Sequence, residues 1–190
     1  RYEENKFIDY AIKEQDIKHT YLDLENKNFL INLRNLINAH DSPVYTLSSY
    51  LNWQLMHKIS EKGFKVCISG TGADELFSGY YDHHNLYLAE IKNNKSLYEI
   101  SKCNWEKYIK PIVRNPFLKN PDLFIENKFF RDHILLNKDI ISDFCINDWS
   151  EDFTEKEFRQ TIMRNRMANE LFEETVPVLL NEDDLNAMYF

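Results

Sequence analysis

An α/β domain is the fold this sequence predicts: a parallel sheet fed by alternating helices and strands, followed by a mainly helical part. Three observations carry the expectation. Helical and strand-like apolar patterns alternate as far as about Asp82, an order that implies parallel strands. The apolar run Phe64-Lys65-Val66-Cys67-Ile68 leads straight into a glycine-rich turn, and all 4 glycines of the chain fall between positions 63 and 79. After Asp82 the strand-like runs stop, and aromatic-rich segments at helical spacing, punctuated by Pro111, Pro116 and Pro121, take over.

The elements follow in order. Phe7, Ile8, Ala11 and Ile12 recur at helical spacing between Asn5 and Gln15, and Lys18 to Leu24 then alternates as a half-buried strand does. A second helix is expected from about Asn28 to Ala39 through Phe29, Leu30, Leu33, Leu36 and Ile37. It ends at His40-Asp41-Ser42-Pro43, because the residue before a proline is pushed out of the helical region. Pro43 suits the first turn of a third helix carrying Leu47, Tyr50, Leu51, Leu55, Met56 and Ile59, which stops at Gly63. Phe64 to Ile68 then reads as a strand buried on both faces, with Cys67 in the core. The clearest late helix is expected over about Glu155 to Glu174, with Phe158, Ile162, Leu171 and Phe172 facing inward and Pro177 kinking or ending it. Asn181-Glu182-Asp183-Asp184 reads as the start of a further helix.

Composition narrows the function classes. A chain of 190 residues holds one ordinary domain, or one domain with a helical appendage. With 43% hydrophobic and 28% charged residues and a mean hydropathy of −0.55, it has the make-up of a soluble globular protein, and no apolar run is long enough for a membrane span. A net charge of −8 argues against nucleic acid as the main partner. Cys67, Cys103 and Cys145 have no metal-ligand spacing and leave one thiol over in any disulfide scheme, so a reducing, cytoplasmic setting is expected. The chain opens on Arg1-Tyr2-Glu3-Glu4 and closes within the apolar stretch Leu185 to Phe190, and it reads as a piece cut at both edges.

The glycines give the strongest signal. Average usage of about 7% would supply roughly three times as many. Three of them sit in Ser69-Gly70-Thr71-Gly72-Ala73-Asp74-Glu75-Leu76-Phe77-Ser78-Gly79-Tyr80, after the expected strand and at the expected start of a helix. In open α/β sheets that is the ligand-binding position, since unpaired main-chain N–H groups are there and the missing β-carbons let a ligand approach. A purely local reading is also open: a tight turn with Thr71 as helix cap and Asp74 as its capping partner. Asp74 and Glu75 would repel a bare polyphosphate, and a divalent cation resolves that conflict, because Mg²⁺ is commonly held by one or two carboxylates together with substrate phosphates.

This stretch resembles the S-G-x-G-x-D-E-x-F-x-G-Y signature of glutamine-hydrolysing asparagine synthetases. A second block, Pro177 to Met188, is similar to the segment that precedes an E-x-R-x-P-F-L-D motif in that family, and the helix–strand order of residues 1–82 agrees. The resemblance implies an adenine-nucleotide alpha-hydrolase-like (Rossmann-like) parallel sheet, with residues 1–82 part of the ATP-binding synthetase core and 83–190 its mainly helical continuation. It implies ATP and Mg²⁺ activating the side-chain carboxylate of aspartate as an acyl-adenylate, which ammonia from a glutaminase domain converts to asparagine with release of AMP; pyrophosphate leaves in the first step. Position by position, Ser69 and Gly70 match the family's ATP-contacting pair, Gly72 lies near the nucleotide, and Asp74 matches the Mg²⁺-binding aspartate, with Glu75 as a second candidate ligand for the metal. Thr71 stands where better-known members carry a glutamate at the catalytic position, which points to a subfamily and to a sugar acid or other carboxylate of surface-polysaccharide assembly as an alternative acceptor. A nucleotide-binding remnant without catalysis is the reading from outside enzymology. The S-G-G-x-D-S pyrophosphate loop and a glutaminase nucleophile do not occur in these residues, so this piece alone is expected to be inactive. A homodimer stays open.

Other candidate residues also have plainer roles. Asp183 and Asp184 could contact substrate, yet acids after Asn181 are also what a helix start prefers. His83 and His84 point in different directions if helical, and no third ligand has metal spacing, so packing is the simpler role. Arg159, Arg164 and Arg166, interleaved with Glu157 and Glu170, read as a solvated helix face. No serine or cysteine sits on a nucleophile turn.

Overall fold

The computed structural model describes residues 5–22, 28–44, 46–134, 143, 146 and 153–190. Its elements are helices α1 (Asn5–Gln15), α2 (Phe29–His40), α3 (Leu47–Glu61), α4 (Ala73–Phe77), α5 (Tyr81–Ile91), α6 (Lys95–Asn104), α7 (Leu123–Glu126), α8 (Ile162–Phe172) and α9 (Thr175–Tyr189). A π turn at Trp105–Ile109 prolongs α6, and a 3-10 turn spans Phe117–Lys119. The chain divides into two compact units, one of residues 1–68 with 181–190 and one of residues 69–180.

In the first unit, α2 and α3 pack Leu36, Tyr50 and Trp53 into a small core flanked by Phe29, Leu33, Ala39 and Val44. Gly63, with φ +79°, closes α3: its N–H meets the Ser60 carbonyl at 2.8 Å, and the left-handed backbone explains the glycine. Polar groups join α2 and α3 to residues 181–190. The Ser49 hydroxyl donates to Glu182, and the buried Asn186 takes His40 Nε2 on its Oδ1 at 2.8 Å while its Nδ2 donates to Asn52 Oδ1 at 2.9 Å and the Ser49 carbonyl at 3.3 Å. The Trp53 ring lies tilted against Tyr189, with centroids 4.4 Å apart, and edge-on to Phe190 at 4.6 Å.

In the second unit, α5 is the central rod. Leu86 and Ala89 join Val113, Leu118, Leu123 and Phe124 in the core. Asn85, wholly buried, donates to the carbonyls of Leu118 (3.2 Å) and Asn120 (2.7 Å) and accepts from Trp105 Nε1 (3.2 Å), so an otherwise costly buried amide becomes the pin that fixes the 3-10 turn and the π turn against α5.

The expected parallel sheet is the main correction: there is no strand among the described residues. Lys18 to Leu22 and Phe64 to Ile68 carry neither helix nor strand, Asp23 and Leu24 lie outside the described residues, and Val66 and Ile68 are 81% and 95% exposed. Side-chain alternation reports which faces would be buried, whereas a strand also needs a neighbour for its N–H and C=O groups, and none of the described residues supplies one. Cys67, expected in the core, is exposed for the same reason. Two smaller differences have local causes. Glu155 to Thr161 stay outside α8 because its side-chain amides clamp their backbone: Asn169 Oδ1 accepts from Lys156 N at 2.8 Å and Asn165 Oδ1 from Phe158 N at 2.8 Å. Pro177 sits in the first turn of α9, where its missing N–H costs nothing, so it begins a helix that already includes Asn181 to Asp184.

Candidate functional site

The glycine turn forms as a turn opening a helix. Ala73 N meets the Gly70 carbonyl at 3.1 Å and Leu76 N the Gly72 carbonyl at 3.1 Å. Gly72 has φ +92° and is buried, with its nearest neighbour, Val176, 3.9 Å from where a β-carbon would stand. Its glycine answers to backbone conformation. Gly70 is exposed, and nothing lies within 4 Å of its absent β-carbon, so that edge of the main chain is open to a ligand. The exposed Ser69 hydroxyl donates to Thr71 Oγ1 at 3.0 Å and accepts from Thr71 N at 3.4 Å, so the two hydroxyls on the turn are held as one unit.

The two acids of the turn part company within one residue. Asp74 is exposed. Glu75 is 2% exposed, and its Oε1 accepts from the Tyr80 hydroxyl at 2.5 Å. Burial, followed by the Glu75 contact, pushes the Tyr80 phenol far above its ordinary range, so the proton stays on tyrosine. Beside α4 a cleft of about 590 Å³ is lined by Glu75, Leu76 and Phe77 and, from α8 and the residues before it, by Arg159, Met163 and Arg164. Its volume is that of a small-molecule site, and two arginines expected on a solvated face border it. The remaining candidates, Asp183 and Asp184, lie on α9 within the first unit, Asp183 half-buried and Asp184 exposed.

Beneath the turn, α5 and α8 enclose a charged cluster the sequence did not reveal. His83 Nε2 lies 2.8 Å from Glu170 Oε2, and His133 Nε2 lies 3.2 Å from Asp82 Oδ2. Arg166, 1% exposed, places Nε 2.6 Å from Glu155 Oε1 and Nη1 3.5 Å from Asp82 Oδ2. Arg131 reaches Glu155 at 2.7 Å and also pairs with Glu174. Ligand atoms of Asp82, His83 and Glu170 come within 4.8 Å of one another, as a metal triad's would. The Arg166 guanidinium already supplies the cation beside Asp82, which makes the cluster a structural ion network. The sequence singles out His83 but not its partner, because Glu170 is 87 residues away.

No helix among the described residues is long and apolar enough to cross a membrane. No solved structure matches the chain. A protein of Methanocaldococcus jannaschii named "Putative asparagine synthetase (glutamine-hydrolyzing) 1" is 38% identical over 71 residues, which cover 34% of this chain and 12% of that protein. Residues 1–177 match the asparagine synthase family, so the turn, its flanking helices and the charged cluster all lie within the matched span, and the chain belongs to the asparagine synthase family.

Proposed function

We propose that the chain forms part of the ATP-binding core of an amidoligase of the glutamine-hydrolysing asparagine synthase type. In this reading a carboxylate oxygen of aspartate attacks the α-phosphorus of ATP and pyrophosphate leaves. Ammonia from a glutaminase domain then attacks the acyl carbon, the bond to AMP breaks, and the amide of asparagine remains. Ser69, Gly70 and Gly72 meet the nucleotide. Asp74 takes Mg²⁺, which would offset phosphate charge, and the donor chemistry fits, since an exposed carboxylate is the hard oxygen ligand this ion takes. Glu75, held by Tyr80, shapes the turn from behind.

The observation that supports this most is the pairing of an open main-chain edge at Gly70 with an exposed acid at Asp74, four residues on in the same turn. In the intact protein, Asp74→Asn is expected to abolish ATP–pyrophosphate exchange while the melting temperature stays within a few degrees of the parent's; retained exchange would remove the metal role.

Thr71 favours a second acceptor. Its neutral hydroxyl cannot perform the acid–base work of a glutamate, which suits a sugar acid or another carboxylate in place of aspartate. Acceptor-dependent AMP release, measured with aspartate against uronic acids, decides between the two.

A further inference from the structure

Glycines occur in this chain for separable reasons. Gly63 and Gly72 have left-handed backbone, and Gly70 is open. Gly79 fits neither description. Its φ lies outside the left-handed region, so backbone conformation does not demand glycine there. A β-carbon at position 79 would stand 1.9 Å from Asp74 Oδ1, 2.5 Å from its Cγ and 2.9 Å from its Cβ. Those distances are far inside van der Waals contact, and the three nearest atoms all belong to the Asp74 side chain.

We propose that Gly79 is a positioning residue whose bare α-carbon seats the Asp74 carboxylate. The same two residues are joined through the main chain, where Gly79 N–H donates to the Asp74 carbonyl at 3.0 Å. Ser78, at φ 61°, turns the chain back so that this bond and the seat form together. The next residue completes the arrangement, since the Tyr80 hydroxyl holds Glu75 at 2.5 Å. Gly79 and Tyr80 thus grip the two consecutive acids, one over bare backbone and one through a hydroxyl. The acid at 74 keeps a single orientation before any ligand arrives, which saves the ordering cost that a free aspartate would pay on binding a cation. This inference rests on the reading of Asp74 as the Mg²⁺ ligand, though the seat itself is a matter of sterics.

The test uses the intact protein and four forms: parent, Gly79→Ala, Asp74→Ala and the double variant. Gly79→Ala is expected to raise the Mg²⁺ concentration for half-maximal ATP–pyrophosphate exchange by about ten-fold, the order seen when a group orienting a metal ligand is lost. Most of the maximal rate should return at saturating Mg²⁺, a split that general destabilisation would not produce. Melting temperature supplies a readout free of metal and activity. The loss caused by Gly79→Ala in the parent should shrink by more than half in the Asp74→Ala background, because the two closest blocking atoms, Oδ1 and Cγ, have gone and only Cβ at 2.9 Å remains. If Gly79→Ala does not fold, recovery of a folded double variant gives the same answer. Equal losses in both backgrounds, or failure of both to fold, would overturn the seat. Coupled melting temperatures with an unchanged Mg²⁺ requirement would keep the seat and refute the metal reading instead.

Discussion

Residues 69–80 and the cluster between α5 and α8 are both rich in acids, yet they are built in opposite ways. The turn gathers Ser69, Asp74, Glu75 and Tyr80 from one short stretch, and keeps Asp74 in solvent. The cluster draws Asp82, His133, Glu155, Arg166 and Glu170 from distant stretches and buries most of their charge, with arginines to balance it. An exposed acid is open to a ligand, whereas buried acids matched by guanidinium groups have already spent their charge on one another. The difference separates a candidate site from its support, although acid content alone would rank the cluster first.

The largest expected effect lies in the cluster. Arg166→Met would leave Asp82 and Glu155 short of a buried cation, and unpairing of this kind costs about 3–5 kcal/mol. Urea denaturation of the intact protein measures it, and a loss below 1 kcal/mol would place the network's strength elsewhere. Tyr80→Phe comes next. It strips the hydroxyl that donates to the buried Glu75 Oε1, and an orphaned buried acceptor costs about 1–3 kcal/mol. An unaffected melting temperature would mean that Glu75 is held by something other than the tyrosine.

The smallest effect sharpens the contrast within the cluster itself. Burial pushes the Asp82 carboxyl up, but the His133 hydrogen bond and the neighbouring His83, His133 and Arg166 outweigh it and hold it below its ordinary 3.8. The stability it contributes is present above the ordinary value and lost as pH falls through the lowered one. At Glu170 burial prevails over the His83 contact and raises the carboxyl above 4.5, so its contribution is present in acid and lost as pH rises through the raised value. Asp82→Asn should therefore fall furthest below the parent at neutral pH and approach it below 3.8, while Glu170→Gln should gain on the parent as pH climbs past 4.5. Melting curves across that range check both, and parallel profiles for the two variants would contradict the assignment.

What could be read from the residues follows from how far each interaction reaches. α1, α2 and α3 were legible because apolar spacing at three and four residues reports a helix face directly, and Gly63 marked a stop whose left-handed φ the structure bears out. The turn at Gly70 and Gly72 was legible because its cause is local. Phe64 to Ile68 misled, since an apolar run states a demand for burial and says nothing about whether a partner strand is at hand. Glu155 to Thr161 misled differently: the amides of Asn165 and Asn169 capture backbone groups that periodicity assigns to the helix. The roles of His83 and Gly79 were hidden, one because Glu170 is remote in sequence, the other because an absent atom has no pattern to detect.

Asn186 sets one further condition on the molecule. Its amide is engaged by His40, Ser49 and Asn52, and each of those partners stands at a single height along α2 or α3. Sliding residues 181–189 by one helical turn, about 5.4 Å, would strand a dry amide and leave three polar groups bare. Asn186 therefore serves as an index mark that fixes the axial register of the closing residues on the first unit, which an aliphatic side chain of equal bulk would leave free to drift.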